Sequence, residues 1–271
     1  MAESGTSHRS CRVLLPSITF YAQAAVHICA AAYQARRGRL TNSGLVEGSH
    51  ALRRALESVG VRFDVSGLDS VDWSNGPYVF AANHMSALET QVLPSILAPA
   101  APCTFVVKSS LMRYPVFRSV LKAFDPIVLD RVDPREDLRQ VLRQGEERLT
   151  AGKSVIVFPQ AHRTEAFDRR RFNTIGVRLA RASGVPVVPI ALHTTSWTQG
   201  RWLSDIGWIV PARPARFAIG TPIVVGADGR AAQEKVVSFI EEHLASWVGA
   251  PSDAGKGPPL GIDTDTLPRT S

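Results

Sequence analysis

Pro77-Tyr78-Val79-Phe80-Ala81-Ala82-Asn83-His84-Met85-Ser86-Ala87-Leu88-Glu89 is an apolar run that ends in a histidine and leads, five positions on, to a carboxylate. The run reads as a strand. Ser86-Ala87-Leu88-Glu89 reads as a capping box, with Ser86 at N-cap and Glu89 at N3. The local order is therefore strand, turn, helix. The same spacing has a chemical reading. Residues five apart on one helix diverge by roughly 140°, so His84 and Glu89 meet only if His84 lies in the turn before the helix. Helical side chains lean toward the N-terminus, which brings Glu89 back toward the ring. A carboxylate there orients the imidazole and stabilises its protonated form, as a general base requires. On spacing alone two readings stand: that base pair, or a carboxylate that only closes the backbone of Ser86.

Outward from this unit, apolar runs alternate with helical patterns. Strands are expected at 77–82, 103–107, 126–129, 154–158, 187–192 and 215–219. A helix with Asp133 at N-cap, Pro134 at N1 and Gly152 as its stop carries Leu138, Val141, Leu142 and Leu149 on one face. Further helices are expected over 174–183 and 231–247. Alternation of this kind predicts an α/β fold, a largely parallel central sheet flanked by helices.

Upstream, residues 13–34 hold no Asp, Glu, Lys or Arg, and Arg36, Arg37 and Arg39 follow. That length approaches the roughly 20 apolar residues that cross a bilayer. Pro16, Gln23 and His27 make it a poor spanning segment, so a helix lying in the membrane interface is preferred, with the arginines on lipid headgroups. A core helix is the plainer alternative. The interrupted apolar region and the lack of a clear cleavage site argue against a signal peptide. Leu45, Leu52, Leu56 and Val59 recur at helical spacing before Gly60. The expected organisation is a disordered 1–12, an N-terminal helical hairpin over 13–60 that associates with membrane, a main domain over 61–249, and a disordered tail over 250–271 rich in Pro, Gly, Asp and Thr.

Bulk numbers narrow the function. The chain has 271 residues, 45% hydrophobic and 20% charged, with net charge +7. A mean hydropathy of +0.00 excludes a polytopic membrane protein. The basic balance suits an anionic partner such as a membrane surface or a phosphorylated substrate. Zinc-finger spacing, a basic region with heptads and an RNP-like strand are all missing, so no nucleic-acid partner is expected. Cys11, Cys29 and Cys103 form neither a metal pattern nor an even set for disulfides. A reducing compartment follows, with Cys103 packed in a strand. Gly152-Lys153-Ser154 lacks the earlier glycine of a phosphate-binding loop and leads into a strand. No G-x-S-x-G elbow and no H-E-x-x-H is present.

Three more segments accompany the histidine unit: Ile127-Val128-Leu129-Asp130-Arg131, Phe158-Pro159-Gln160-Ala161-His162-Arg163-Thr164 at the end of a strand, and Val185-Pro186-Val187-Val188-Pro189. In this order the four blocks resemble the glycerolipid acyltransferase family, best known for its 1-acyl-glycerol-3-phosphate (lysophosphatidic acid) acyltransferases. The family's N-H-x-x-x-x-D becomes Asn83 to Glu89, with glutamate for aspartate. Its F-P-E-G-T-R-S becomes Phe158 to Thr164, with Gln160, Ala161 and His162 in place of Glu-Gly-Thr. Its V-P-V-x-P is matched by Val185 to Pro189, and a lysine found in many relatives is matched by Lys108. The likeness covers roughly residues 75 to 225.

The resemblance implies acyl transfer from acyl-CoA or acyl-carrier protein to the hydroxyl of a lysophospholipid, lysophosphatidic acid foremost. His84 is then the base and Glu89 its support. Arg131, Arg163 and Lys108 grip an acceptor phosphate. Asn83, Ser86, Phe158, Pro159, Gln160 and Thr164 complete the substrate site. Backbone N–H groups near Ser86 or in the Pro159 turn serve a developing oxyanion. Neither metal nor cofactor is required, and the implied location is the cytoplasmic face of a membrane. Gln160 keeps a hydrogen-bonding carbonyl but loses a charge. That change motivates two alternatives: another lipid or glycolipid alcohol as acceptor, or a non-catalytic lipid-binding member of the same fold. Plainer readings stand beside each cation. Arg131 can pair with Asp133 or Asp137, Arg163 belongs to a basic stretch with Arg169, Arg170 and Arg171, and a lysine like Lys108 is commonly just solvated. His162 and His193 read as structural or solvent-facing. Trp197, Trp202 and Trp208 fit an interfacial patch or a packed loop equally.

Overall fold

The computed structural model describes residues 4–98, 102–113, 115–130, 132–160, 162–201 and 203–249. Two helices come first, α1 (Ser4–Arg36) and α2 (Asn42–Ser58), and they pack on each other. The Thr41 hydroxyl caps α2 by accepting from Gly44 N at 3.2 Å. The chain then alternates: β1 (Phe63–Ser66), β2 (Val79–Ala82), α3 (Leu88–Leu97), β3 (Cys103–Lys108), α4 (Pro115–Ala123), β4 (Ile127–Leu129), α5 (Pro134–Thr150), β5 (Ser154–Val157), α6 (Ile175–Ala182), β6 (Val187–His193), β7 (Ala215–Ile219) and α7 (Arg230–Gly249). Asp133 caps α5 as expected, its carboxylate accepting from Arg135 N at 2.8 Å.

The seven strands form one sheet in the order β1-β7-β6-β2-β5-β3-β4. Every pairing is parallel except β6 with β7. A parallel interior sheet must be covered on both faces, and the alternation along β2 shows how. Phe80 and Ala82 pack with Phe20 of α1, Leu56 of α2 and Leu93 of α3. Val79 and Ala81 pack with Val141 of α5, Leu179 of α6 and Val236 of α7. Gly145 lets α5 and α6 approach closely, since a Cβ there would lie 2.6 Å from Leu179 Cδ1. Burial pushes the Cys103 thiol up to about 12, so this residue of β3 packs as a small hydrophobe.

Some expectations need correction. Helix α1 starts at Ser4 rather than at residue 13, so the expected disorder of 1–12 gives way to helix from Ser4. Residues 6–15 hold neither glycine nor proline to stop it. Two elements went unmarked in the sequence. β1 is a four-residue edge strand with Asp64 and Ser66 exposed, and α4 is short and opens with a proline. The tail 250–271 lies outside the described residues.

Residues 13–36 make the one helix, among the described residues, that is long and apolar enough to cross a membrane. Only 17% of its most apolar window is buried. Phe20, Ala24 and Ala32 face the protein, while Leu14, Leu15, Ile18, Val26 and Tyr33 are exposed.

Candidate active site

Because β6, β2 and β5 run parallel side by side, their C-terminal ends open on the same edge of the sheet. That edge is where open α/β sheets bind ligands. Thr194 follows β6, Asn83 and His84 follow β2, and Phe158 to Thr164 follow β5.

Glu89 lies in the first turn of α3 with no exposed surface. A buried carboxylate is tolerated only when its oxygens are filled. Oε1 accepts from Met85 N at 2.7 Å, Ser86 N at 3.0 Å and Thr194 Oγ1 at 2.7 Å. Oε2 accepts from Ser86 N at 3.0 Å and meets His84 Nδ1 at 3.1 Å. The two readings of the spacing are therefore both realised: one carboxylate closes the turn and holds the imidazole. The capping geometry differs in detail from the expectation. Helix α3 begins at Leu88 with Ala87 at N-cap, and the Ser86 hydroxyl accepts from Leu88 N at 3.1 Å rather than from Glu89 N.

These contacts assign the tautomer. An ionised carboxylate only accepts, so Nδ1 carries the proton and Nε2 holds the lone pair. Arg163 Nε donates to Nε2 at 3.3 Å, consistent with that assignment. The ring stacks on Phe158 with centroids 4.3 Å apart and planes 21° apart, and Phe158 stacks in turn on Phe105. The His84 side chain stays 14% exposed, so the ring borders solvent rather than packed interior.

Gln160 is buried and both its amide atoms are engaged inside the protein. Oε1 accepts from His84 N at 2.7 Å, and Nε2 donates to Thr164 Oγ1 at 2.9 Å. Thr164 N donates to His84 O at 3.0 Å, so the β5 loop is laced to the histidine's own backbone. Pro159, also buried, starts that loop.

Other expected site residues do different work. Asn83 is 1% exposed. Its Nδ2 donates to Leu192 O and its Oδ1 accepts from Leu192 N, both at 2.8 Å, tying β2 to β6 instead of facing a substrate. Ser86, 2% exposed, donates to Thr194 Oγ1 at 3.0 Å. The N–H groups of His84, Met85, Ser86 and Leu88 are all taken, which removes them as oxyanion donors. Lys108 ends β3 exposed, and among the described residues it bonds to none of His84, Glu89 and Arg163. Among the described residues, the groove next to it is lined by Ser109, Arg113 and the carboxylates Asp130, Asp133, Glu136 and Asp137. Arg131 lies outside the described residues, as does Trp202. The basic stretch beyond the β5 loop is engaged in part, since Arg169 pairs with Glu234 and Glu241 of α7.

A family model described as "Acyltransferase" matches residues 47–193, more than half of the chain. The chain belongs to the acyltransferase family. By class it is an O-acyltransferase. A 1-acyl-sn-glycerol-3-phosphate acyltransferase of Pseudomonas aeruginosa is 29% identical over 189 residues, 70% of this chain and 68% of that protein. A chloroplastic 1-acyl-sn-glycerol-3-phosphate acyltransferase of Brassica napus is 30% identical over 150 residues, 54% of this chain and 42% of that protein. The chain thus spans under half the length of this plant relative. In fold, it is similar to the crystal structure of the 1-acyl-sn-glycerophosphate (LPA) acyltransferase PlsC of Thermotoga maritima. The TM-score is 0.66 at 20% identity, over 90% of this acyltransferase and 99% of that one.

Two contributors to the site carry no sequence signal of their own. Thr194 reaches Glu89 only because β6 lies beside β2, and Asp205, in the loop between β6 and β7, ion-pairs with Arg163 Nη1. The fourth block, Val185 to Pro189, supplies no polar side chain. It enters β6, whose far end delivers Thr194. Trp197 is buried against Phe20 and Tyr21 of α1, whereas Trp208 is exposed, so the tryptophans divide between packing and surface.

Proposed function

We propose that this acyltransferase moves a fatty acyl group from an acyl-CoA or acyl-carrier-protein thioester to the hydroxyl of a lysophospholipid, lysophosphatidic acid foremost, giving phosphatidic acid. The observation that carries the reading is the His84–Glu89 pair, set at the C-terminal edge of the sheet with Glu89 on Nδ1 and the ring partly exposed. His84 Nε2 takes the proton of the acceptor hydroxyl as its oxygen attacks the thioester carbon. The C–O bond forms, the C–S bond breaks, and the departing thiolate recovers the proton from His84. Glu89 fixes the Nδ1–H tautomer and stabilises the imidazolium between those steps. A positioned base of this kind contributes roughly 10²–10⁴-fold.

In this reading Arg163 serves as the cation for an acceptor phosphate, and its hydrogen bond to the base itself supports that role. Gln160 spends both amide atoms within the protein, so its difference from the family's glutamate bears on the turn under His84 more than on the acceptor. The names of the relatives support lysophosphatidic acid as acceptor. The exposed apolar side of α1, with Arg36, Arg37 and Arg39 after it, supports attachment to an anionic membrane surface on its cytoplasmic face.

The test is an acyl-transfer assay with acyl-CoA and acyl-carrier-protein donors against a panel of lysophospholipids and phosphate-free alcohols, read by mass spectrometry. Phosphatidic acid as the main product is the expected result. Acylation of neutral alcohols in preference to lysophosphatidic acid, or no transfer from any donor, contradicts the proposal.

A further inference from the structure

Asp205 sits on the β6–β7 loop, which is strutted against α1. Tyr21 Oη donates to Gly207 O at 2.6 Å, and Ile209 N donates to Ser17 Oγ at 2.9 Å. From this anchored loop the Asp205 carboxylate ion-pairs with Arg163 Nη1, while Nε of the same guanidinium donates to His84 Nε2 at 3.3 Å. We infer that Asp205 is a positioning residue that holds Arg163 over the proton-accepting nitrogen of His84, so that an acceptor bearing an anionic group uncovers the base and a neutral acceptor does not. This rests on the reading of His84 as the general base.

Glu89 occupies the Nδ1 side, which leaves Nε2 as the only nitrogen able to take a proton. A guanidinium does not give up its own proton at ordinary pH, so the Arg163 contact caps that lone pair and blocks a hydroxyl from reaching it. Arginine is long and rotamer-rich, and its hold on a neutral imidazole is weak alone; the charge of Asp205 on the other side fixes it. The cap is also exchangeable. The Asp205 side chain is 45% exposed, so solvent screens the pair and another anion can reach it. A phosphate monoester offers more charge and more acceptor oxygens than one carboxylate, in a shape that fits the guanidinium fork. When phosphate draws Arg163 away, Nε leaves Nε2 and the hydroxyl of the same acceptor takes its place. A neutral alcohol has nothing with which to move the arginine.

Asp205→Asn and Asp205→Glu test this with lysophosphatidic acid and a monoacylglycerol of the same chain length. Asp205→Asn is expected to raise kcat/KM for the monoacylglycerol about fivefold, the scale of a partly exposed ion pair. The change for lysophosphatidic acid is expected to be smaller, so the preference for phosphate falls. Asp205→Glu restores the wild-type ratio. Without any substrate, the ¹⁵N resonance of His84 Nε2 shifts in Asp205→Asn toward that of an uncovered imidazole. An equal loss on both acceptors, or an unchanged ratio with an unmoved nitrogen, overturns the inference. If the wild type transfers to neither acceptor, the proposed function fails by itself. The nitrogen resonance then still decides the Asp205 contact, a shift supporting it and no shift overturning it.

Discussion

At 3.1 Å from His84 Nδ1, the Glu89 carboxylate also accepts from Met85 N, Ser86 N and Thr194 Oγ1. Glu89→Gln therefore does two things. It turns an amide N–H₂ toward groups that are themselves donors, which costs about 1–3 kcal/mol for a buried mismatch. It also releases the tautomer of His84, which lowers kcat about 10²–10⁴-fold. Denaturant unfolding beside initial rates reads both effects, and full activity in a destabilised protein contradicts the role given to Glu89. Much of this local arrangement was legible. The five-residue spacing of His84 and Glu89 allowed them to meet if His84 lay in the turn, with a plain cap as the alternative, and Ser86 marked the start of a helix. The fate of Asn83 was not legible, because its partner, Leu192, lies 109 positions away. Thr194 and Asp205 were hidden for the same reason: each acts across strands or loops whose adjacency no local pattern encodes.

At the scale of elements, β2, β5 and β6 announced themselves as unbroken apolar runs because a strand buried on both faces has no polar side to display. β1 did not, since an edge strand with Asp64 and Ser66 in solvent looks like loop. Helix α1 is divided between two environments, and the protein-facing half does not explain the other. Leu15 and Ile18 are 59% and 58% exposed. If that side enters a bilayer interface, each residue contributes about 1.5–3 kcal/mol of apolar burial. Leu15→Glu and Ile18→Glu are each expected to weaken partitioning onto anionic vesicles about tenfold or more, with the unfolding transition unchanged. Flotation assays read the partition, and equal binding by wild type and both variants contradicts the membrane-facing role.

Across the whole molecule, one sheet brings together residues from the ends of three parallel strands, with α1 to α4 on one face and α5 to α7 on the other. Its stability should depend on acid in a definite direction. Burial, and the neighbouring Arg216 and Arg213, hold the His193 imidazole below its ordinary 6.5, and burial does the same to His50 in α2, helped by Arg53 and Arg54. Well above pH 6.5 both are neutral in the folded and unfolded chain and contribute nothing to the slope. As pH falls through 6.5 the unfolded chain binds protons that the folded one refuses, so stability declines until the folded values are passed. His193→Asn is expected to flatten this decline between about pH 7 and 5, measured as unfolding free energy against pH. An unchanged slope contradicts the assignment. The central claim concerns chemistry carried by an otherwise ordinary fold, and His84→Ala tests it most directly: acyl transfer measured in a variant whose unfolding transition matches the wild type. The account predicts a loss of about 10²–10⁴-fold or more in kcat with the fold intact, whereas a folded His84→Ala that transfers acyl groups at the wild-type rate contradicts it.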